Sequence, residues 1–139
     1  MRFVDASVFL YAYLRPKRAV PNEIAEMKKA SKAILRRINT DEKVYSSLVH
    51  LSEVANILEA VLPVNESHRI LRDLLYATTL ILLEPTKGNY LDAIEVAQEA
   101  AVGLNDALAY VLMKGMDVKE IYSFDRHFDR FDDIKRIRE

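Results

Sequence analysis

Cysteine is absent from the 139-residue sequence, and glycine and proline are scarce, at three and four residues. Without cysteine, a disulfide scaffold, a thiolate zinc site and a cysteine nucleophile are all excluded. There is no repeat, no low-complexity tract and no linker. A charge of one sign is also missing. The 20 lysines and arginines nearly cancel the 21 aspartates and glutamates, leaving a net charge of -1. That balance argues against a strongly basic coat for nucleic acid. Long hydrophobic runs are missing too. The longest uncharged apolar stretch, Leu74 to Leu83, falls well short of the about 20 residues that cross a bilayer. The N-terminus reaches Asp5 before a signal-peptide core could form. These absences point to a soluble, cytoplasmic protein without a membrane partner. What is present is a 50% hydrophobic composition. It suits one domain over residues 1–139 that buries roughly two-thirds of its unfolded surface, and it disfavours disorder.

Short apolar runs alternate with longer helical patterns. Phe3-Val4 begins a first strand that ends at Asp5, and Val8 to Leu14 reads as a short apolar helix stopped near Pro16. Arg15 to Pro21 is a loop bounded by prolines. Asn22 is placed to cap a helix to about Ile38, along which Ile24, Met27, Ser31, Ile34, Leu35 and Ile38 keep helical spacing. Lys43 to Ser46 is a second strand. Ser47 then opens a helix ending at Pro63, and Glu66 to Ala77 forms another. Leu80 to Leu83 is a third strand. Thr86 caps a helix to about Ala101, Gly103 breaks it, and Asn105 caps an apolar helix that stops at Gly115. Ile121 to Ser123 and Ile134 to Ile137 complete a set of four to five strands. Strands separated by helices imply parallel pairing in an α/β sandwich, with paired helices in two of the crossovers.

Most of the acids read as solvated surface, but four are placed differently. Asp5 and Asp125 follow the first and fourth strands, at the carboxyl edge where open parallel sheets bind ligands. Glu53 lies in the second turn of the helix leaving the second strand, and Asp106 in the first turn of the helix feeding the fourth. All four map to one rim. Taken singly, each has an ordinary explanation. Asp106 stabilises a helix N-terminus, Asp5 and Asp125 serve as turn acids, and Glu53 is an exposed helix residue. Together they repel unless something positive lies between them. A hard divalent cation such as Mg²⁺ meets that need, and so do basic side chains.

With these four acids in place, the sequence resembles the PIN-domain family, and within it the VapC-type toxin ribonucleases, over nearly the whole chain. The resemblance rests on Val4-Asp5-Ala6-Ser7, on Ser47 to Val54 with its acid Glu53, on Leu104-Asn105-Asp106-Ala107-Leu108-Ala109, and on Ser123-Phe124-Asp125-Arg126-His127-Phe128. Each motif is short, and their order and spacing carry the likeness. It implies a PIN-like three-layer α/β/α sandwich around a short parallel sheet. It also implies metal-dependent hydrolysis of RNA phosphodiester bonds with one or two Mg²⁺ or Mn²⁺ ions. On this resemblance Asp5, Asp106 and Asp125 are the principal metal ligands and catalytic acids. Glu53 serves a second metal or orients the attacking water, and the products carry a 5′-phosphate and a 3′-hydroxyl. A cognate antitoxin and a homodimer are the implied partners, besides the RNA substrate.

Supporting positions follow from the residues themselves. Ser7 and Ser123 are strand-end hydroxyls able to bond the acids, a phosphate or the local backbone, and Asn105 reads first as a helix cap. Asp92 and Asp129 read as surface. His50, His68 and His127 form no His-x-x-x-His zinc pair, and His127 reads as a surface histidine near Asp125. No Gly-x-x-x-x-Gly-Lys phosphate loop is present. Between Arg15 and Arg37, eight basic residues face two acids, and Lys29, Lys32 and Arg36 share one helical face that could track an RNA backbone or simply be solvated. Tyr11 and Tyr13 read as packing residues. The competing functions are an RNA-processing PIN nuclease without a toxin role and a non-catalytic PIN-like module that binds RNA or protein. The paired acids and late lysine of a phosphoacceptor receiver domain are not found.

Overall fold

The computed structural model describes residues 1–14 and 21–139. Five short parallel strands form one sheet: β1 (Arg2–Val4), β2 (Val44–Ser47), β3 (Leu80–Leu83), β4 (Glu120–Tyr122) and β5 (Lys135–Ile137). Their spatial order is β3-β2-β1-β4-β5. Six helices connect them: α1 (Ala6–Tyr13), α2 (Asn22–Thr40), α3 (Leu48–Val61), α4 (Val64–Tyr76), α5 (Lys87–Ala100) and α6 (Leu104–Gly115). Three crossovers, rather than two, each carry a helix pair. Of the loop expected at Arg15 to Pro21, residues 15–20 lie outside the described residues, as do Arg15, Lys17 and Arg18 of the basic stretch.

Parallel strands need crossovers of a fixed hand, so the direction of travel along the sheet decides which face a helix covers. The chain moves outward from β1 through β2 to β3, then returns past β1 to β4 and β5. The first four helices therefore cover one face, and α5 and α6 cover the other. The strands show this by alternation. Val4 and Tyr122 belong to the core under α1 to α4, with Val8, Ile34, Val54, Leu58 and Ile70. Phe3 and Ile121 face the other way, into a core with Ala107, Leu108, Met113 and Phe128. Period-two alternation along strands buried on both faces gives the three-layer α/β/α sandwich.

Local chemistry accounts for the helix ends, and in three places it departs from the sequence reading. Thr86 and Asn89 form a reciprocal capping box at the start of α5. Ser47 caps α3 by accepting from the His50 backbone N–H. The backbone of α5 ends at Ala101, which adopts the left-handed conformation at φ 55, two residues before Gly103. Gly103 is the N-cap of α6. Asn105 is thus the second residue of α6 and not its cap, which frees its side chain for another role. Asn22 likewise lies inside α2, whose N-cap is Pro21, and α4 begins at Val64, before Glu66.

Candidate active site

The strand order reverses at β1, between its neighbours β2 and β4, and the carboxyl edge there is where an open α/β sheet leaves a crevice. Val4 pairs with Tyr122 in the β1–β4 register. The next residues along, Asp5 and Ser123, are therefore side by side as the strands end. The Ser123 hydroxyl donates to Asp5 Oδ2 at 2.8 Å, and Ser7, from the first turn of α1, donates to the same oxygen at 2.8 Å. Asp5 is only 5% exposed. Two hydroxyl donors are what a nearly buried carboxylate needs to stay in place. The serines also order the loop beyond β4. Ser7 Oγ accepts from the Phe124 N–H, and Ser123 Oγ accepts from the Asp125 N–H. Both serines thus bond an acid and satisfy the backbone at once. Tyr11 packs edge-on against Phe124, with ring centroids 5.5 Å apart.

Asp125 opens the 3₁₀ turn Arg126–Arg130, with Oδ1 accepting from the His127 N–H at 2.9 Å. That bond makes it a turn acid, yet the turn also carries it toward Asp106. His127 Nδ1 stands 3.3 Å from Asp106 Oδ2 and 3.3 Å from Asp125 Oδ1. One ligand atom from each of Asp106, Asp125 and His127 lies within 4.8 Å of the others. His127 is exposed, as its sequence position implies, and still joins the acids. Its position two residues after Asp125 was the only signal that it joins the cluster.

Electrostatics tie the four acids together. Burial, then the charges of Asp125 and Asp5, push the Asp106 carboxyl up to about 7, while the bond to His127 opposes the rise. Burial also raises Glu53, with Asp5 and Asp125 adding to it and a hydrogen bond from the Asn105 side chain opposing. Carboxyls raised by one another's charge lack a counter-charge. The donor set is mostly hard oxygen, and it fits a divalent cation better than a lone lysine or arginine. Among the described residues, no ion pair from lysine or arginine to Asp5, Glu53, Asp106 or Asp125 is found.

A second residue that the sequence reading passed over lies behind the rim. His50 is 1% exposed, inside the first turn of α3. Its Nε2 is 3.0 Å from the Asn105 carbonyl and its Nδ1 is 2.6 Å from Ser47 Oγ. A carbonyl can only accept, so Nε2 carries the hydrogen, and in the neutral ring Nδ1 accepts from the Ser47 hydroxyl. Burial lowers the imidazole pKa, which favours that neutral form. The Phe3 ring meets it edge-on at 5.3 Å.

The remaining expected positions are elsewhere. Asp129 is held by Arg136 through two bonds of 2.9 Å, and Asp92 is exposed on α5. Lys29, Lys32 and Arg36 are exposed on α2. Lys29 lines a hollow of about 560 Å³ with Phe124, Glu23, Glu26 and Glu139. Lys32 lines another of about 290 Å³ with Tyr13, Glu66, Arg69 and Asp73. Acids thus lie beside two of the three cations. Lys28 donates to the carbonyls of Tyr11, Ala12 and Leu14, closing the end of α1.

A doubly wound parallel sheet with acids converging at its switch point defines the class of protein. The family model of the PIN domain matches residues 2–134, and the chain belongs to that family. It is similar in structure to VapC20 of Mycobacterium tuberculosis, described as a toxin that cleaves the sarcin-ricin loop. That likeness has a TM-score of 0.77 at 18% sequence identity and covers 100% of both chains. At that identity the likeness is one of fold. No curated protein matches the sequence. No helix among the described residues is long and apolar enough to cross a membrane.

Proposed function

We propose that this protein is a metal-dependent ribonuclease of the VapC type, the toxin of a toxin–antitoxin pair. The observation that carries this reading is the convergence of Asp5, Glu53, Asp106 and Asp125 on one rim, with Asp106 raised to about 7 by burial and its acidic neighbours. A protein that only bound RNA would gain nothing from gathering repelling charges where an anionic strand must lie. The PIN family membership and the fold shared with a toxin that cleaves the sarcin-ricin loop support RNA as the substrate.

In this reading Asp5, Asp106 and Asp125 would hold one or two Mg²⁺ or Mn²⁺ ions, directly or through water, and Glu53 would serve a second ion or orient the attacking water. When bound, the metal supplies Lewis-acid stabilisation of the phosphate oxygens and lowers the pKa of a bound water. The chain's own residues supply geometry. Ser7 and Ser123 fix the Asp5 carboxylate, and the Asp125 turn presents that acid. Attack in line would leave a 5′-phosphate and a 3′-hydroxyl. Exposed Lys29, Lys32 and Arg36 on α2 are available to the RNA backbone. The reading extends to cytoplasmic action on RNA, a cognate antitoxin that covers the acidic rim, and a homodimer.

The test is cleavage of RNA by the purified protein with Mg²⁺ or Mn²⁺, then with chelator. Chelation should abolish cleavage and readdition of metal should restore it. Asp5→Asn should lower the rate by at least about 100-fold, on the scale of losing one transition-state electrostatic contact, while leaving the circular dichroism spectrum unchanged. Cleavage that survives both chelator and Asp5→Asn would overturn the assignment.

A further inference from the structure

We propose that His50 is a positioning residue that sets the distance between Glu53 and Asp106 by tying the first turn of α6 to α3. The role of the two acids rests on the ribonuclease reading above; the tie itself does not. His50 is 1% exposed and neutral in its bonding pattern, so the ring neither touches RNA nor ligates a metal. Each of its ring nitrogens is nevertheless committed. Nε2–H donates to the Asn105 carbonyl at 3.0 Å, and Nδ1 meets the Ser47 hydroxyl at 2.6 Å. The Ser47 oxygen in turn accepts from the His50 backbone N–H at 3.2 Å. The ring is thereby locked to the end of β2 and the start of α3.

The Asn105 carbonyl is an unusual acceptor for such a bond. In the first turn of an α-helix the carbonyls already accept from N–H groups four residues on, while the N–H groups are the ones left unpaired. The His50 bond satisfies no orphaned helix group. What it does is hold α6 at one place and angle against α3. The Asn105 side chain also lies near enough to Glu53 to oppose the rise of its pKa. The residue gripped at its carbonyl by His50 is the direct neighbour of Asp106. A buried imidazole with both nitrogens bonded has little freedom to rotate, and the edge-on Phe3 ring removes what is left. The two acids stand on separate helices that reach the rim from opposite faces of the sheet. This strap is a direct polar link between those helices.

Two substitutions separate the tie from simple core filling. In His50→Gln the side-chain amide nitrogen reaches about as far as Nε2 and can donate to the Asn105 carbonyl. In His50→Leu volume is kept and the donor is lost. The first measurement is hydrogen–deuterium exchange of the metal-free proteins at Ala107, Leu108 and Ala109, with urea unfolding to report global stability. Exchange there should be at least 10-fold faster in His50→Leu than in wild type, beyond what the global stability change explains, and within about 3-fold of wild type in His50→Gln. The second is Mn²⁺ affinity by calorimetry together with kcat and KM for RNA. His50→Leu should lose at least 10-fold in kcat and in Mn²⁺ affinity with KM little changed, and His50→Gln should recover most of both. Exchange at α6 that follows global stability alone in both variants would overturn the tie. Local exchange that rises as expected while Mn²⁺ affinity and kcat stay at the wild-type level would overturn the positioning role. If wild type itself neither binds Mn²⁺ nor cleaves RNA, the ribonuclease reading fails, and the positioning role of His50 fails with it; the exchange data still decide the tie.

Discussion

Replacing Asp106 with asparagine should make the metal-free protein more stable while removing its activity. The Asp106 carboxyl stands at about 7 in the fold against 3.8 for the free side chain, raised by burial and by Asp125 and Asp5. An acid whose folded pKa lies above its unfolded one binds its proton more tightly when folded. Its ionisation therefore favours unfolding, and the stability it contributes falls as pH rises from about 4 to about 7, then levels off. The full difference sets a ceiling of about 4 kcal/mol at pH 8. The side chain is 17% exposed and bonds His127, so water and salt screening bring the expected cost down to about 1–2 kcal/mol. Losing a negative charge in the first turn of α6 offsets some tenths of that. At roughly 3 °C per kcal/mol for a chain of this length, Asp106→Asn should melt about 3–5 °C above wild type at pH 8 in chelator and low salt. At pH 5 the gap should narrow, because only the unfolded chain ionises Asp106 there, and it should close below about 4, where the side chain is protonated in both states. Adding Mg²⁺ should reverse the order at pH 8. Wild type gains about 2.7 kcal/mol at a metal concentration 100 times Kd, and the variant gains little. A variant that melts at or below wild type at pH 8 in chelator would refute the electrostatic argument, whatever happened to activity.

Two further substitutions probe the same rim. Ser123→Ala removes a donor to Asp5 and an acceptor for the Asp125 N–H; urea unfolding should show a loss of about 1–3 kcal/mol, and an unchanged midpoint would mean that the hydroxyl is dispensable. His127→Ala removes a bond that holds the Asp106 pKa down. Carboxyl titration followed by NMR should then place Asp106 above its wild-type value, carrying the pH-dependent loss of stability to higher pH, whereas a lower value would contradict the geometry.

Much of this protein could be read from its sequence, for reasons that are local. Alternation of short apolar runs with amphipathic stretches fixed the order of strands and helices, because burial on two faces of a sheet demands it. Thr86 and Ser47 announced their helix starts through their own side-chain chemistry. The four acids could be placed on one rim because a parallel sheet sends every strand end to the same edge. Where the reading fell short, the deciding contact joined residues far apart in the chain. Asn105 looked like a cap until Gly103 took that place. His50 looked idle because its partner is a backbone carbonyl 55 residues away, which no residue type advertises. His127 signalled only its nearness to Asp125; its tie to Asp106 comes from the 3₁₀ turn that aims it there. Lys29, Lys32 and Arg36 are exposed on α2, and the chain fold sets acids beside the first two. Periodicity and strand-end acids are properties of a few neighbouring residues, so the sequence alone determined the sandwich and the acidic rim. The raised Asp106 carboxyl, the Ser7–Asp5–Ser123 clasp and the His50 strap depend on burial and on contacts across the sheet, and only the tertiary structure decided those.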